Sequence, residues 1–129
     1  LKVITMKLII AGGRDFEDKA VATKAFIDFS VEVNAKTLHK VNPFTEIVSG
    51  GARGADRCGE FIAQFFSLPV KQFIPDWDGL GKKAGHVRNR EMGDYADALL
   101  AFWDGQSKGT KGMIDYARKK GLIVKVVSY

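Results

Sequence analysis

Five short apolar runs, at residues 8–11, 46–49, 70–74, 98–103 and 123–127, alternate along the chain with stretches of helical periodicity. Strands separated by helices pair in parallel, and a parallel sheet is covered on both faces, so its strands are apolar throughout rather than at every second residue. The expected fold is therefore α/β, a Rossmann-like three-layer α/β/α arrangement around a mainly parallel five-stranded sheet. Between the first two runs Ala22, Ala25, Phe26 and Phe29 recur at helical spacing, and after the second run Cys58, Phe61, Ile62 and Phe65 do the same. Both stretches are expected to be amphipathic helices with these residues facing inward. The last helix should place Met113, Ile114 and Ala117 on one face, carry Arg118-Lys119-Lys120 in its final turn and stop at a left-handed Gly121. Asn34 and Asn42-Pro43 interrupt residues 31–44 while Leu38 and Val41 keep some apolar character, which reads as a helix end plus a loop. Residues 76–85 form a polar, glycine-containing connection longer than usual, expected to face a ligand.

A length of 129 residues suits one core, so residues 1–129 are read as a single domain. No window approaches the run of about 20 apolar residues that a membrane span requires, so no membrane partner is expected. The opening residues 1–11 contain Lys2 and Lys7 and run into glycines without a small-residue cleavage site, so they read as a first strand. Met6-Lys7-Leu8 would also serve as a start, which leaves open whether residues 1–5 are native. A lone Cys58 excludes an intramolecular disulfide framework, and without a Cys/His cluster no structural zinc site is expected. No cofactor is called for either, and a reducing, cytoplasmic location fits. Twenty Lys and Arg against 15 Asp and Glu, a formal charge of +5, favour anionic partners without choosing among phosphates, nucleotides and nucleic acid.

Three glycine-rich segments follow strands: Gly12-Gly13-Arg14-Asp15 after the first, Ser49-Gly50-Gly51-Ala52-Arg53-Gly54-Ala55-Asp56 after the second, and Asp104-Gly105-Gln106-Ser107-Lys108-Gly109-Thr110 after the fourth. In a parallel sheet the C-terminal ends of all strands share one edge, so right-handed connections gather these segments around one crevice. Glycine lets backbone approach a ligand closely, and a helix opening from each segment would add unpaired N–H groups and a positive dipole end. Arg14, Arg53 and Lys108 bring formal charge to the same rim. Phosphate oxygens want such donors. Gly54-Ala55-Asp56 lacks the lysine and hydroxyl that end a P-loop, and Gly12-Gly13-Arg14 does not match the dinucleotide fingerprint, which disfavours a kinase, an ATPase and nicotinamide hydride transfer.

A second cluster, Lys82-Lys83-Ala84-Gly85-His86-Val87-Arg88-Asn89-Arg90-Glu91-Met92, places Arg88 and Met92 on one helical face with Asn89 adjacent, and Arg88 can grip a phosphate bidentately. Trp77 and Trp103 could stack on a base. His39 and His86 are far apart and have no paired nucleophile, so neither is expected to be catalytic, and Cys58 reads as a small buried hydrophobe. Asp15, Asp56, Asp78 and Asp104 could approach the crevice to bind ribose hydroxyls, cap a helix or act as a general base; for Asp56 capping is the expected role.

At these residues the chain resembles the SLOG superfamily of Rossmann-like nucleotide-ligand proteins, most closely its small YspA-related (YAcAr) branch. The resemblance spans nearly the whole chain through Gly13-Arg14-Asp15-Phe16, Val48-Ser49-Gly50-Gly51-Ala52-Arg53-Gly54-Ala55-Asp56, Pro75-Asp76-Trp77, Gly81 through Met92, and Gly109-Thr110-Lys111-Gly112-Met113. The 49–56 segment with Arg88-Asn89-Arg90 also looks like the single-stranded-DNA-binding core of the DNA-processing protein DprA. His86 through Met92 with Gly109-Thr110 looks like the "lonely guy" phosphoribohydrolases, which release the base from a nucleoside monophosphate with an arginine and a glutamate. Arg88 matches that arginine, but Met113 stands where the glutamate would be, so a hydrolase would need Asp104 or Asp115 from a shifted position.

The expectation is thus binding or sensing of a nucleotide or nucleotide-derived phosphate ligand. Gly12, Gly13, Arg14, Ser49, Gly50, Gly51, Arg53, Gly54, Asp56, Trp77, Arg88, Asn89, Asp104, Gly105, Lys108, Gly109 and Thr110 would form the site. The alternatives are an N-glycosidic hydrolase acting on a nucleoside monophosphate or nucleotide derivative, with Arg88 and Asp104 as catalytic residues, and a DprA-like binder of single-stranded nucleic acid. The resemblance also makes a homodimer plausible.

Overall fold

The structure is a computed structural model that describes residues 5–37 and 42–129. The chain forms β1 (Met6–Gly12), α1 (Lys19–Thr37), β2 (Phe44–Ser49), α2 (Ala55–Phe65), β3 (Val70–Gln72), α3 (Trp77–Leu80), a 3₁₀ turn (Gly81–Lys83), α4 (Ala84–Tyr95), β4 (Ala98–Trp103), α5 (Lys108–Lys119) and β5 (Ile123–Ser128). The five strands make one sheet in the order β3-β2-β1-β4-β5, and every pairing is parallel. The protein is therefore an α/β protein with a Rossmann-like three-layer fold.

The central strands show why. β4 reads Ala98-Leu99-Leu100-Ala101-Phe102, all fully buried, and β1 contributes Leu8, Ile9 and Ile10 at zero exposure. A strand with no polar face can sit only where helices cover both sides. On one face α1 supplies Ala22, Ala25, Phe26, Phe29 and Val33, and α2 supplies Ala55, Cys58, Ile62 and Ala63. The opposite face is covered by Met92 and Ala96 with Met113, Ile114 and Ala117 of α5. Each large side chain buried this way stabilises the fold by about 1.5–3 kcal/mol. Gly121 has φ 82°, the left-handed stop expected after α5.

Several local expectations are corrected. Phe61 and Phe65 face outward at 36% and 67% exposure, because the inward stripe of α2 runs through residues 55, 58, 59, 62 and 63. Gly59 packs on Ile10, and Phe66, just past the helix, reaches Phe26 at 5.2 Å in place of Phe65. The third strand stops at Gln72; Phe73 still donates its N–H to Ser49, but Pro75 has none to give. Residues 76–85 are not an open loop, since Asp76 accepts the Gly79 N–H at 2.9 Å and starts α3. The second strand starts two residues earlier than expected, at Phe44, while the helix end expected in the 31–44 interval is present, with α1 running through Thr37 past Asn34. Leu38, His39 and Val41 lie outside the described residues, as do residues 1–4 at the start of the chain.

In this strand order β1 leads to β2 on one side and neighbours β4 on the other, so the chain reverses its direction of travel across the sheet beside β1. Crevices in parallel sheets open at that point, outside the carboxyl ends of the strands.

Candidate functional site

A cavity of about 550 Å³ lies there. Its walls come from four segments: the turn after β1, the turn into α2, the α3–α4 region and the turn into α5.

The turn after β1 is pulled against β4. Gly12 has φ 151° and passes so close that a Cβ would meet the Phe102 carbonyl at 2.2 Å. Phe16 leaves the turn to stack on Phe102 at 4.2 Å, and Tyr129 packs on Phe16 and donates its hydroxyl to Asp15 at 2.5 Å. This first turn does not open α1: three residues intervene, and Asp18 caps that helix through the Val21 N–H at 3.0 Å. Contrary to expectation, the first turn of α1 therefore contributes no residue to the cavity lining.

The turn into α2 is held to the first one. Gly54, at φ 80°, packs on Gly13 and Arg14, and the Ala55 N–H donates to the Gly13 carbonyl at 3.1 Å. Asp56, in the first turn of α2, is 6% exposed; its Oδ2 accepts the Ala52 N–H at 3.1 Å. Asp56 therefore fastens the preceding turn, while Gly54 occupies the N-cap position that Asp56 was expected to serve. Burial pushes its carboxyl up to about 6, against the opposing pull of the Ala52 N–H, Arg88 and Arg14.

Arg88 reaches this corner from α4. It is 9% exposed, donates Nη1 to the Gly50 carbonyl at 2.6 Å and Nε to Asn89 at 2.9 Å, and lines the cavity. Burial, together with the positive charge of Arg14, lowers its pKa. Gly50 is fixed between the two charges, since a Cβ there would lie 2.3 Å from Arg88 Nη1 and 2.8 Å from Asp56 Oδ2.

On the far wall Ser107 caps α5 by accepting the Thr110 N–H at 3.3 Å, and Lys108 and Gly109 line the cavity from the first turn of that helix. Asp104 lines the cavity too, but its Oδ1 accepts the N–H groups of Gln106 and Ser107 at 2.9 and 2.8 Å, which lowers its pKa. Asp115 pairs with Lys111 and is not a lining residue. Met113 contributes a buried thioether to the wall. Trp77, half exposed on α3, lies over Gly85 and lines the mouth, whereas the Trp103 indole is spent on the Ser107 carbonyl at 3.0 Å.

Of the residues expected in the site, Gly12, Gly13, Arg14, Arg53, Asp56, Trp77, Arg88, Asn89, Asp104, Lys108, Gly109 and Thr110 line this cavity. Ser49, Gly50, Gly51, Gly54 and Gly105 do not. Ser49 is fully buried and donates to Glu60 at 2.7 Å, Gly51 faces Ile74, and Gly105 sits in the turn that Asp104 closes. Sequence reasoning left Lys82, Gly85, His86, Met92 and Ser107 out of the site, although all five line it. Helical spacing carried the signal: Gly85, Arg88, Asn89 and Met92 form one stripe of α4.

Five cations, Arg14, Arg53, Lys82, Arg88 and Lys108, thus converge on one cavity. Among the described residues the ion pairs are Lys24–Asp28, Lys111–Asp115, Lys120–Asp94 and Lys125–Glu32, and none of them involves these five. Among the described residues no helix is long and apolar enough to cross a membrane, and no group of His, Cys, Asp and Glu could hold a metal ion.

Fold and site together define a Rossmann-like α/β protein with a cation-lined cavity at the switch point of its sheet. The chain is 34% identical over 124 residues to "Gene 61 protein" of Mycobacterium phage D29, a match covering 92% of this chain and 93% of that one. It belongs to the family of that phage protein. No family model matches the chain, and no solved structure matches it.

Proposed function

We propose that the cavity binds a nucleotide or nucleotide-derived phosphate ligand. The observation that carries this reading is the convergence on one cavity of five cations, none of which forms an ion pair among the described residues. Five cations against the carboxylates of Asp15, Asp56 and Asp104 leave the lining with an excess of positive charge, and an anion seated among the cations offsets it. The first turn of α5 adds N–H groups that have no partner within the helix. A volume of about 550 Å³ suits a molecule larger than a bare phosphate, and the half-exposed Trp77 at the mouth offers a face on which a base can stack. The resemblance to SLOG proteins supports the same class of ligand.

Binding is favoured over hydrolysis because Asp104 is committed to its turn, Asp115 stands outside the cavity, and Met113 stands where the resemblance to the "lonely guy" phosphoribohydrolases would put their glutamate. A cytoplasmic setting belongs to this reading, since nucleotides are abundant there and the buried Cys58 stays reduced.

A thermal-shift screen of nucleoside mono-, di- and triphosphates, ADP-ribose, NAD, cyclic nucleotides and a short single-stranded DNA tests the proposal. A ligand at 100 times its dissociation constant adds about 2.7 kcal/mol, which raises the midpoint by several degrees. A nucleotide-specific rise, lost in Arg53→Ala and Arg88→Ala, is the expected result. A rise with DNA alone would replace this reading with single-strand binding, and free base released during incubation would replace it with hydrolysis.

A further inference from the structure

Arg88 and Arg14 share one corner of the cavity with a buried carboxylate. Asp56 is 6% exposed and has no ion-pair partner among the described residues, although Arg88 approaches the same point above Gly50 and Arg14 acts on both charges from the turn after β1. Its Oδ2 is held by the Ala52 N–H, and Oδ1 has no hydrogen-bond partner among the described residues. The other charged group acting on it is Glu60, further along α2, which opposes its ionisation. A ligand that presented only phosphate oxygens to this corner would meet Arg88 and Arg14 favourably and Asp56 unfavourably.

Resting on the phosphate-ligand reading above, we propose that Asp56 is a specificity-determining residue that accepts a hydrogen bond from a sugar hydroxyl of the ligand. The preferred ligand then carries hydroxyl and phosphate close together, as a ribose phosphate does, and a bare polyanion is disfavoured. The corner supplies the matching set: a carboxylate oxygen without a donor, beside a guanidinium whose Nη1 and Nε are anchored to Gly50 and Asn89. Anchoring keeps Arg88 from swinging onto Asp56 and closing the corner by an internal ion pair. Hydrogen bonds to a charged acceptor in a partly dry site are strong, so an analogue without the hydroxyl forfeits affinity and covers the Asp56 oxygen without giving it a donor.

Calorimetric titration of the wild-type chain with AMP, 2′,3′-dideoxyadenosine monophosphate and inorganic pyrophosphate tests this. AMP and the dideoxy compound share base and phosphate and differ only in the hydroxyls. AMP is expected to bind about 10- to 100-fold more tightly than the dideoxy compound, the range for one charge-assisted hydrogen bond. In Asp56→Asn the AMP advantage is expected to shrink to within about threefold while pyrophosphate binds more tightly, because the repelling charge is gone. Equal binding of AMP and the dideoxy compound to the wild type would overturn the role of Asp56 and leave the phosphate-ligand reading standing. Failure of all three to bind would overturn both. The wild-type comparison decides the matter even if the variant folds poorly.

Discussion

Arg88 of α4 donates Nη1 to the main-chain carbonyl of Gly50 at 2.6 Å, so a buried guanidinium from one face of the sheet holds the turn that leads to the helix on the other. Gly50→Ala would drive a methyl group to 2.3 Å from that nitrogen. We expect it to displace Arg88, to cost about 1–3 kcal/mol as a buried charged hydrogen bond is broken, and to abolish ligand-induced thermal shifts. Denaturant melts and the ligand screen on one preparation check both parts.

Gly54 and Gly105 share a left-handed φ, 80° and 83°, but only Gly54 is crowded, with the Gly13 carbonyl 2.4 Å from a Cβ and nothing near Gly105. Gly105→Ala is expected to cost about 1–2 kcal/mol, the conformational penalty alone. Gly54→Ala adds a clash with backbone that cannot rotate away and should cost about 3 kcal/mol or more. Thermal melts of the pair separate backbone strain from close approach.

Asp56 makes stability depend on pH. Its folded pKa, about 6, lies above the ordinary 3.8, so the folded state binds the proton more tightly than the unfolded state. That contribution is fully present below about pH 4 and is lost as pH rises through about 6; two units correspond to about 3 kcal/mol. Relative to Asp56→Asn, the wild type should therefore lose several degrees of melting midpoint between pH 4 and pH 7. Parallel curves for the two proteins would refute the assignment.

Trp77 is half exposed at the cavity mouth, and Trp103 is tied to Ser107. In a Trp103→Phe variant the remaining indole should change its emission when AMP is added. Trp77→Ala should leave stability within about 0.5 kcal/mol, as for a surface side chain, while weakening binding about tenfold through lost stacking. Fluorescence titration reads the binding, and urea melts read the stability.

Much of this architecture was legible in the residues. β4 occupies 98–103 as read, because an unbroken apolar run bounded by Asp97 and Asp104 has one place in a parallel sheet. The convergence of the turns after β1, β2 and β4 followed from parallel topology alone. What stayed hidden depended on tertiary distances. Phe61 and Phe65 have the composition of a core face, and only the pitch of α2 against Ile10 turns them outward. The first glycine segment reads as a helix start because Asp15 and Asp18 are both preferred N-cap residues, and only the fold shows Asp18 taking the cap, three residues further along the chain. The burial of Asp56 beside Arg88 joins positions 32 residues apart in sequence, on two different helices, a relation that spacing does not encode.

Calorimetric titration of AMP into the wild type and into an Arg14→Gln, Arg53→Gln, Lys108→Gln variant, at low and high salt, addresses whether the unpaired cations form a ligand site. These three side chains make no ion pairs among the described residues, so the variant should fold normally. Saturable one-site binding to the wild type, weakened by salt and lost in the variant, is predicted. No binding to the wild type, or equal binding to both proteins, would contradict it.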